Sequence, residues 1–436
     1  MSNGATYQVG TAIVPIETYP GLELSGYFAR SEPATAVHDQ PYVRAVWIGD
    51  ADNRPGMLLI ACDVIGFRPE FAEHVIASLA RELVIPESAV LLHCTHTHSS
   101  PASMALIGCG RTDAAWLDTL ASAIHAAART AQGSPQAAQL FSAEGTCGIG
   151  YNRITGNPAH VDPTVPLLVA TEPTSRVPHV VIASYACHPV VLGPENSDIS
   201  ADYPGAFCRS FDAAHEGGMG LFLTGCGGDI DPRERHSFYA VEKAGRGVFD
   251  AVEAALDGEL TPVKGPVSSA GTELSLPLSW DFTTESLREL ANQYRARSNE
   301  ADYRDHPGDN RPGKTTDGAF ATWAAEMLDE LAAGQLPRSI TARLTQVRIG
   351  GFAITGLPFE VFHDTGKQLR EAQGGGMVIG YTNGDFGYLP SQGLYDKASY
   401  EAAEAYRYYG YPGPFPKGAA ETVVETISKL AQPDTE

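Results

Sequence analysis

Short apolar runs that end abruptly in Gly, His, Asp and Pro recur over residues 1–270 and 345–400. Met57–Cys62 (MLLIAC) reads as a buried strand, after which Phe71, Val75, Leu79 and Leu83 recur every four residues, the stripe of an amphipathic helix. Pro86 ends that helix and 89–93 is the next strand. Such a strand–helix–strand unit within one sheet is parallel and right-handed. The same grammar predicts helices at 116–132 and Phe238–Leu256, strands at 180–186 and 220–224, and late strands at 347–355 and 377–381 around a helix near 361–372. This is an α/β pattern. Residues 280–343 differ, being polar, rich in helix formers and broken by a Pro/Gly/Asp/Asn loop at 306–315. They read as a helical insertion within one domain spanning 1–436. The last dozen residues read as a helix and a frayed tail, and no internal repeat is found.

Composition narrows the function classes. With 43% hydrophobic and 19% charged residues, the 436-residue chain can bury a sizeable core, which excludes wholesale disorder. Acidic residues outnumber basic ones 52 to 30, a net charge of −22. A nucleic-acid binder needs a basic footprint, so that class is excluded, and attraction to anionic lipid is disfavoured for the same reason. Asp63 interrupts the longest apolar candidate, so no membrane span is expected. The first basic residue is Arg30, which leaves the N-terminus without the charged region of a signal peptide. Seven cysteines at irregular spacing do not make a disulfide framework. The expectation is a soluble cytoplasmic enzyme with a small-molecule substrate; homo-oligomerisation stays open.

Five polar clusters each follow a predicted strand: 95–101 (THTHSSP), 187–189 (CHP), 225–232 (GCGGDIDP), 357–360 (LPFE) and 383–388 (NGDFGY). Ligands of α/β sheets bind outside the carboxyl ends of strands, so five clusters at that position suggest one site built from distant segments. His96 and His98 are two apart, and in extended backbone both rings face the same way, where they could share a metal or divide ligation from proton transfer. His93 would point the opposite way, into the core. Singly, His188 is an ordinary hydrogen-bonded histidine, Glu360 a first-turn helix acid and Tyr388 a half-buried tyrosine. Phosphate-loop, dinucleotide and kinase motifs are absent, and Cys94, Cys187 and Cys226 read as small buried hydrophobes.

Together, the His96-Thr97-His98-Ser99 run, the lone His188, Tyr151-Asn152-Arg153 after a Gly-rich stretch, Gly228-Asp229-Ile230-Asp231-Pro232, Glu360 after Pro358-Phe359, and a tyrosine pair twelve residues apart (Tyr388, Tyr400) resemble the catalytic domain of the neutral ceramidase family, in the same order from about residue 9 to residue 405. The resemblance implies an α/β domain of mixed sheets flanked by helices, with the site at strand C-terminal ends. It implies one Zn2+ held by His96, His188, Glu360 and Tyr388, with His98 as the catalytic histidine beside the metal. Arg153 and Tyr400 would stabilise oxyanion charge. His38 and Asp63 fall where family members carry polar residues, as contacts to substrate or to the groups around it. Two departures stand out: Asp231 occupies the place of the family's serine, and the family's immunoglobulin-like C-terminal domain is expected to be absent.

The reading that follows is a zinc hydrolase cleaving an amide or ester of a small polar substrate, with Asp231 as a site for a cationic or hydroxylated substrate group or as general base. The alternatives are a ceramidase-type N-acyl amide hydrolase acting on lipids and a zinc-dependent binding protein without turnover. His, His and Glu also form the facial set of non-haem iron oxygenases, although a tyrosine ligand would fill an open position.

Overall fold

Six consecutive buried residues in Met57–Cys62 and five in Val90–Cys94 leave these strands no solvent face, the condition under which parallel strands pack on both sides. The computed structural model describes residues 7–30, 32–50, 56–174, 177–299, 314–397 and 399–430. Tyr7–Pro15 (β1), Tyr42–Asp50 (β2), Met57–Cys62 (β3), Val90–Cys94 (β4), Gln136–Thr146 (β5), Thr164–Thr171 (β6), Pro178–Tyr185 (β7) and Met219–Thr224 (β8) lie in one mixed sheet in the order β8-β7-β6-β5-β1-β2-β3-β4. The centre is antiparallel, whereas the two outermost pairs, β3/β4 and β7/β8, are parallel. Each parallel pair is joined through a helix, Pro69–Leu83 at one edge and Asp202–Ala214 at the other.

Side chains alternate across the sheet. Leu58, Ile60 and Cys62 pack with Trp116, Leu120 and Ile124 of helix Ala114–Gly133. Leu59 and Ala61 face the other way, against Val347, Ile354 and Ile379 of a second sheet. That sheet comprises Val267–Pro277 (β9), Ser339–Ile349 (β10), Phe352–Gly356 (β11) and Met377–Ile379 (β12), with helix His363–Ala372 crossing between the parallel pair β11/β12. The predicted strand at 347–355 is thus two arms of a hairpin. It turns at Gly350, whose φ of 56° favours glycine.

The two edges of the large sheet meet. The Thr224 N–H donates to Nε2 of His93 (2.9 Å) and the Thr224 hydroxyl to the Thr95 carbonyl (2.6 Å). Chain from the second sheet wedges beside them, with Gly225 bridging Ile379 and His93 bridging Thr382. Nδ1 of His93 lies 3.0 Å from both the Gly380 carbonyl and the Thr382 hydroxyl. Burial pushes the His93 pKa down to about 3, so the ring is neutral and both nitrogens bond. His93 is indeed a core residue, as its alternation predicts. His93→Ala leaves the buried Thr224 N–H without its acceptor, at roughly 1–3 kcal/mol for such a group, and adds a cavity. The expected loss is about 3 kcal/mol or more in urea unfolding; a loss below 1 kcal/mol would show that the edges are joined by other means.

The helical insertion enters and leaves at paired positions, Pro277 opposite Ser339 of β9/β10. Its helices are Thr284–Asn299 and Lys314–Ala333, so 339–343 of the predicted segment belong to a strand, and the predicted loop 306–315 lies mostly outside the described residues. Leu287, Phe320 and Trp323 join one core with Tyr408, Tyr409 and Tyr411, and the Trp323 indole N–H donates to the Tyr411 carbonyl (2.8 Å). The insertion buttresses the C-terminal segment that touches the site. No helix among the described residues is long and apolar enough to cross a membrane.

Candidate metal centre and active site

Joining the sheet's edges brings the segments after β4, β7 and β8 together. His96, just past β4, has φ 67°, a left-handed conformation uncommon for a residue with a side chain. The extended geometry expected for His96-Thr97-His98 is therefore absent, and the two rings converge through this turn. Nδ1 of His96 lies 2.5 Å from the Ile65 carbonyl, and Nδ1 of His188 lies 2.9 Å from the Gly227 carbonyl. Each carbonyl can only accept, so the proton of each ring sits on Nδ1 and the Nε2 lone pair is free. Those Nε2 atoms are 3.1 Å apart, and Nε2 of His98 is 3.3 Å from that of His96. Glu360 Oε2 lies 3.1 Å from His188 Nε2 and 3.4 Å from His96 Nε2.

Converging lone pairs at such spacing repel unless a cation lies between them. Zinc with ligands at ~2.0–2.2 Å separates tetrahedral ligand atoms by roughly 3.3–3.6 Å, close to what is seen. Glu360 Oε2 is buried with no hydrogen-bond donor, whereas its Oε1 accepts from the Tyr409 hydroxyl. Carbonyls on the far nitrogens of His96 and His188, and a hydroxyl on the far oxygen of Glu360, are the supports that metal ligands usually have. The donor set fits a metal ion. His98 differs: its Nδ1 is buried without a partner among the described residues, so its tautomer is not fixed, and its ring packs on Tyr27 at 5.0 Å.

Glu360 and Tyr388 face each other in a short parallel bridge, Glu360–Val361 against Tyr388–Leu389. The Tyr388 ring stacks on His188 (6.3 Å), and its hydroxyl accepts from Arg153 Nη2 (3.0 Å). Among the described residues, ring nitrogens of His96, His98 and His188 lie within 4.8 Å of one another, and Glu360 Oε2 adjoins those of His96 and His188. Tyr400 stands 6.0 Å from Tyr388, ring to ring, and is 43% exposed, which puts it at the mouth.

Three sequence expectations change. Arg153 Nε donates to Glu401 (2.9 Å), Nη1 to Asp231 (3.1 Å), and Nη2 to the Gly228 carbonyl (2.7 Å) and to Tyr388. Four of its five N–H groups are spent on the protein, so it organises the site more than it offers donors to an oxyanion. Asp231 is not waiting for a substrate cation: Arg153 holds Oδ1, and Arg235 Nη1 holds Oδ2 at 2.9 Å. Burial would raise the Asp231 pKa, but the two guanidiniums bring it below the usual carboxylate value, which makes it a poor general base. His38 is exposed, stacked on Phe238 at 3.5 Å, and bonds to no residue of the cluster. Asp63 is buried, accepts from the Tyr42 N–H (2.9 Å) and the Thr95 hydroxyl (3.2 Å), and thereby holds the residue before His96. Burial, opposed by the Tyr42 bond, lifts its pKa to about 6.

Several contributors escape a reading of the sequence. Tyr409 lies in a run with Tyr406, Tyr408 and Tyr411, where nothing in the spacing marks it. Tyr381, at φ 50°, stacks on His96 at 4.0 Å, so two left-handed residues brace one another. Glu401, Arg235 and Tyr27 carry no motif; only adjacency to Tyr400 could have flagged Glu401.

No protein-family model and no curated protein matches this chain. Solved structures do. The neutral ceramidase from Pseudomonas aeruginosa superposes with a TM-score of 0.75 at 17% identity, over 98% of this chain and 74% of that one. A ceramidase complexed with C2 gives 0.75 at 15% identity, over 98% and 75%. This chain has the mixed α/β fold of the neutral ceramidases.

Proposed function

We propose that the protein is a zinc-dependent hydrolase of the ceramidase type, acting on an N-acyl amide. The observation that carries it is the convergence of imidazole and carboxylate lone pairs, two of the imidazoles with their outer nitrogens fixed on carbonyls. His96, His188 and Glu360 would hold the ion, with Tyr388 beside them. Bound there, a zinc ion would supply Lewis-acid polarisation of a carbonyl and a water whose pKa is lowered toward ~7.

The protein's own groups supply the rest. His98, whose tautomer is free, takes a proton from the attacking water and returns it to the leaving nitrogen. Tyr400 faces the mouth and can donate to the scissile carbonyl. Arg153 fixes Tyr388, Asp231 and Glu401 relative to one another, so these groups need little reorganisation during reaction. The fold shared with two ceramidases favours an amide over an ester or lactone. A cationic or hydroxylated substrate group at Asp231 is disfavoured, because Arg153 and Arg235 already pair that carboxylate.

The test combines metal analysis with hydrolysis of N-acyl amides, short-chain ceramide included, before and after chelation. One zinc per chain is expected, with amide turnover that chelation removes and zinc restores. Two metals ~3.5–4 Å apart would indicate bimetallic chemistry instead. Zinc binding without turnover of any amide would leave the binding-protein alternative standing.

A further inference from the structure

The arc of charged side chains around the metal centre has a surplus of guanidinium. Arg153 and Arg235 share Asp231, and Arg153 also takes Glu401. A third guanidinium, Arg30, donates only to backbone carbonyls: Asn196 from Nε, Ser25 and His98 from Nη1, and more distantly Gly193 from Nη2. No carboxylate lies within ion-pair distance of Arg30 among the described residues, and Glu195, whose charge acts on it from farther away, is paired with His236. Three cations thus face two bonded carboxylates, in a chain whose net charge is −22.

Arg235 is the member of this arc with donors to spare. Its Nε bonds the Val190 carbonyl (2.9 Å), its Nη1 bonds Asp231, and its guanidinium also hydrogen-bonds the Tyr27 side chain, so two of its five N–H groups are left, against one for Arg153. Its side chain is 20% exposed, against 7% for Asp231. It sits beside Tyr27, whose ring packs on His98. His98 is the group placed to hand a proton to the leaving nitrogen, so Arg235 lies on the leaving-amine side of the scissile bond.

Resting on the amide-hydrolase reading above, we infer that Arg235 is a specificity residue that receives a carboxylate on the amine half of the substrate, so the preferred substrate class is an N-acyl amino acid. A guanidinium edge matches a carboxylate in plane and is always charged, which suits it to this task better than an ammonium. Asp231, the Val190 carbonyl and Tyr27 hold Arg235 in place and leave two N–H groups for the ligand. This reverses the sign of the substrate preference that an unpaired Asp231 would have given.

The inference can be read by binding, apart from turnover. An N-acylglycine and its N-acylglycinamide, identical in acyl chain and differing by one charge, are titrated into the zinc-loaded protein by calorimetry. The acid is expected to bind at least about tenfold more tightly, the scale of one added charge-assisted hydrogen bond. That advantage should shrink with added salt, as a charge contact at a part-exposed site does. Arg235→Gln should reduce the ratio of acid to amide affinity toward one, and Arg235→Lys should restore part of it. Equal binding of the two ligands by the unaltered protein, tighter binding of the amide, or no binding of either overturns the assignment, and none of these depends on a variant folding. Hydrolysis measured on the same pair separates the two ideas: a selectively bound acid that is never cleaved leaves Arg235 as the anion receptor and removes the hydrolase reading.

Discussion

His188→Ala should abolish zinc binding and hydrolysis together, whereas His98→Ala should keep the zinc and lose roughly 10²–10⁴-fold in kcat. The two rings are similarly close to His96, at 3.1 and 3.3 Å between Nε2 atoms, so distance does not separate them. Their outer nitrogens do. His188 has Nδ1 on the Gly227 carbonyl, which fixes its Nε2 as an acceptor toward the ion, while Nδ1 of His98 has no partner. Removing a supported ligand takes away a bond that holds the metal; removing the unsupported ring takes away a proton carrier. Zinc content of the purified variants beside steady-state rates checks both halves. A His98→Ala protein that purifies without zinc would make His98 a ligand and require a different proton carrier.

Arg153→Met should destabilise the zinc-loaded protein by about 3–5 kcal/mol, the range for breaking a buried ion pair while leaving its partners behind. The substitution strands Glu401 and leaves Asp231 with Arg235 alone, and these carboxylates are only 5% and 7% exposed. It also removes the donor to the Tyr388 hydroxyl and to the Gly228 carbonyl. Arg153→Lys keeps the charge but cannot span four acceptors, so an intermediate loss is expected. Were Arg153 an oxyanion donor alone, the variant would lose kcat with its urea midpoint unchanged. A stability loss under 1 kcal/mol for Arg153→Met therefore sinks the organising role.

Periodic segments were legible in the sequence to within a few residues. Met57–Cys62 and Phe238–Leu256 coincide with the observed elements, because their neighbours in sequence decide their burial. Two long strands were harder: β5 of the large sheet and β9 of the second sheet carry little apolar contrast over a short window, and only pairing identifies them. In the site, the histidines and Glu360 could be named because they follow strands in recognisable clusters. Their supports could not. Tyr409 reaches Glu360 from 49 residues away, and Arg235 reaches Asp231 on a loop where an arginine is unremarkable. Asp231 shows the limit most plainly. Its identity was visible, but its chemistry depends on two guanidiniums that only the fold supplies.

The wedge that closes the large sheet also sets a timetable for the nascent chain. His93 cannot find the Thr382 hydroxyl until 289 further residues have been made. At roughly 5–20 residues per second this is an interval of about 15–60 s. Until residue 383 is made, the β4 edge lacks the Asn383 partner of Val90 and Leu92, and it is the kind of apolar strand edge that other chains can pair with. A ligand set drawn from positions 96, 188 and 360 likewise exists only once nearly all of the chain is out. On the proposed zinc reading, metal acquisition would therefore be a late event of biogenesis, and the apolar edge of β4 is the surface on which a chaperone would have to act before it.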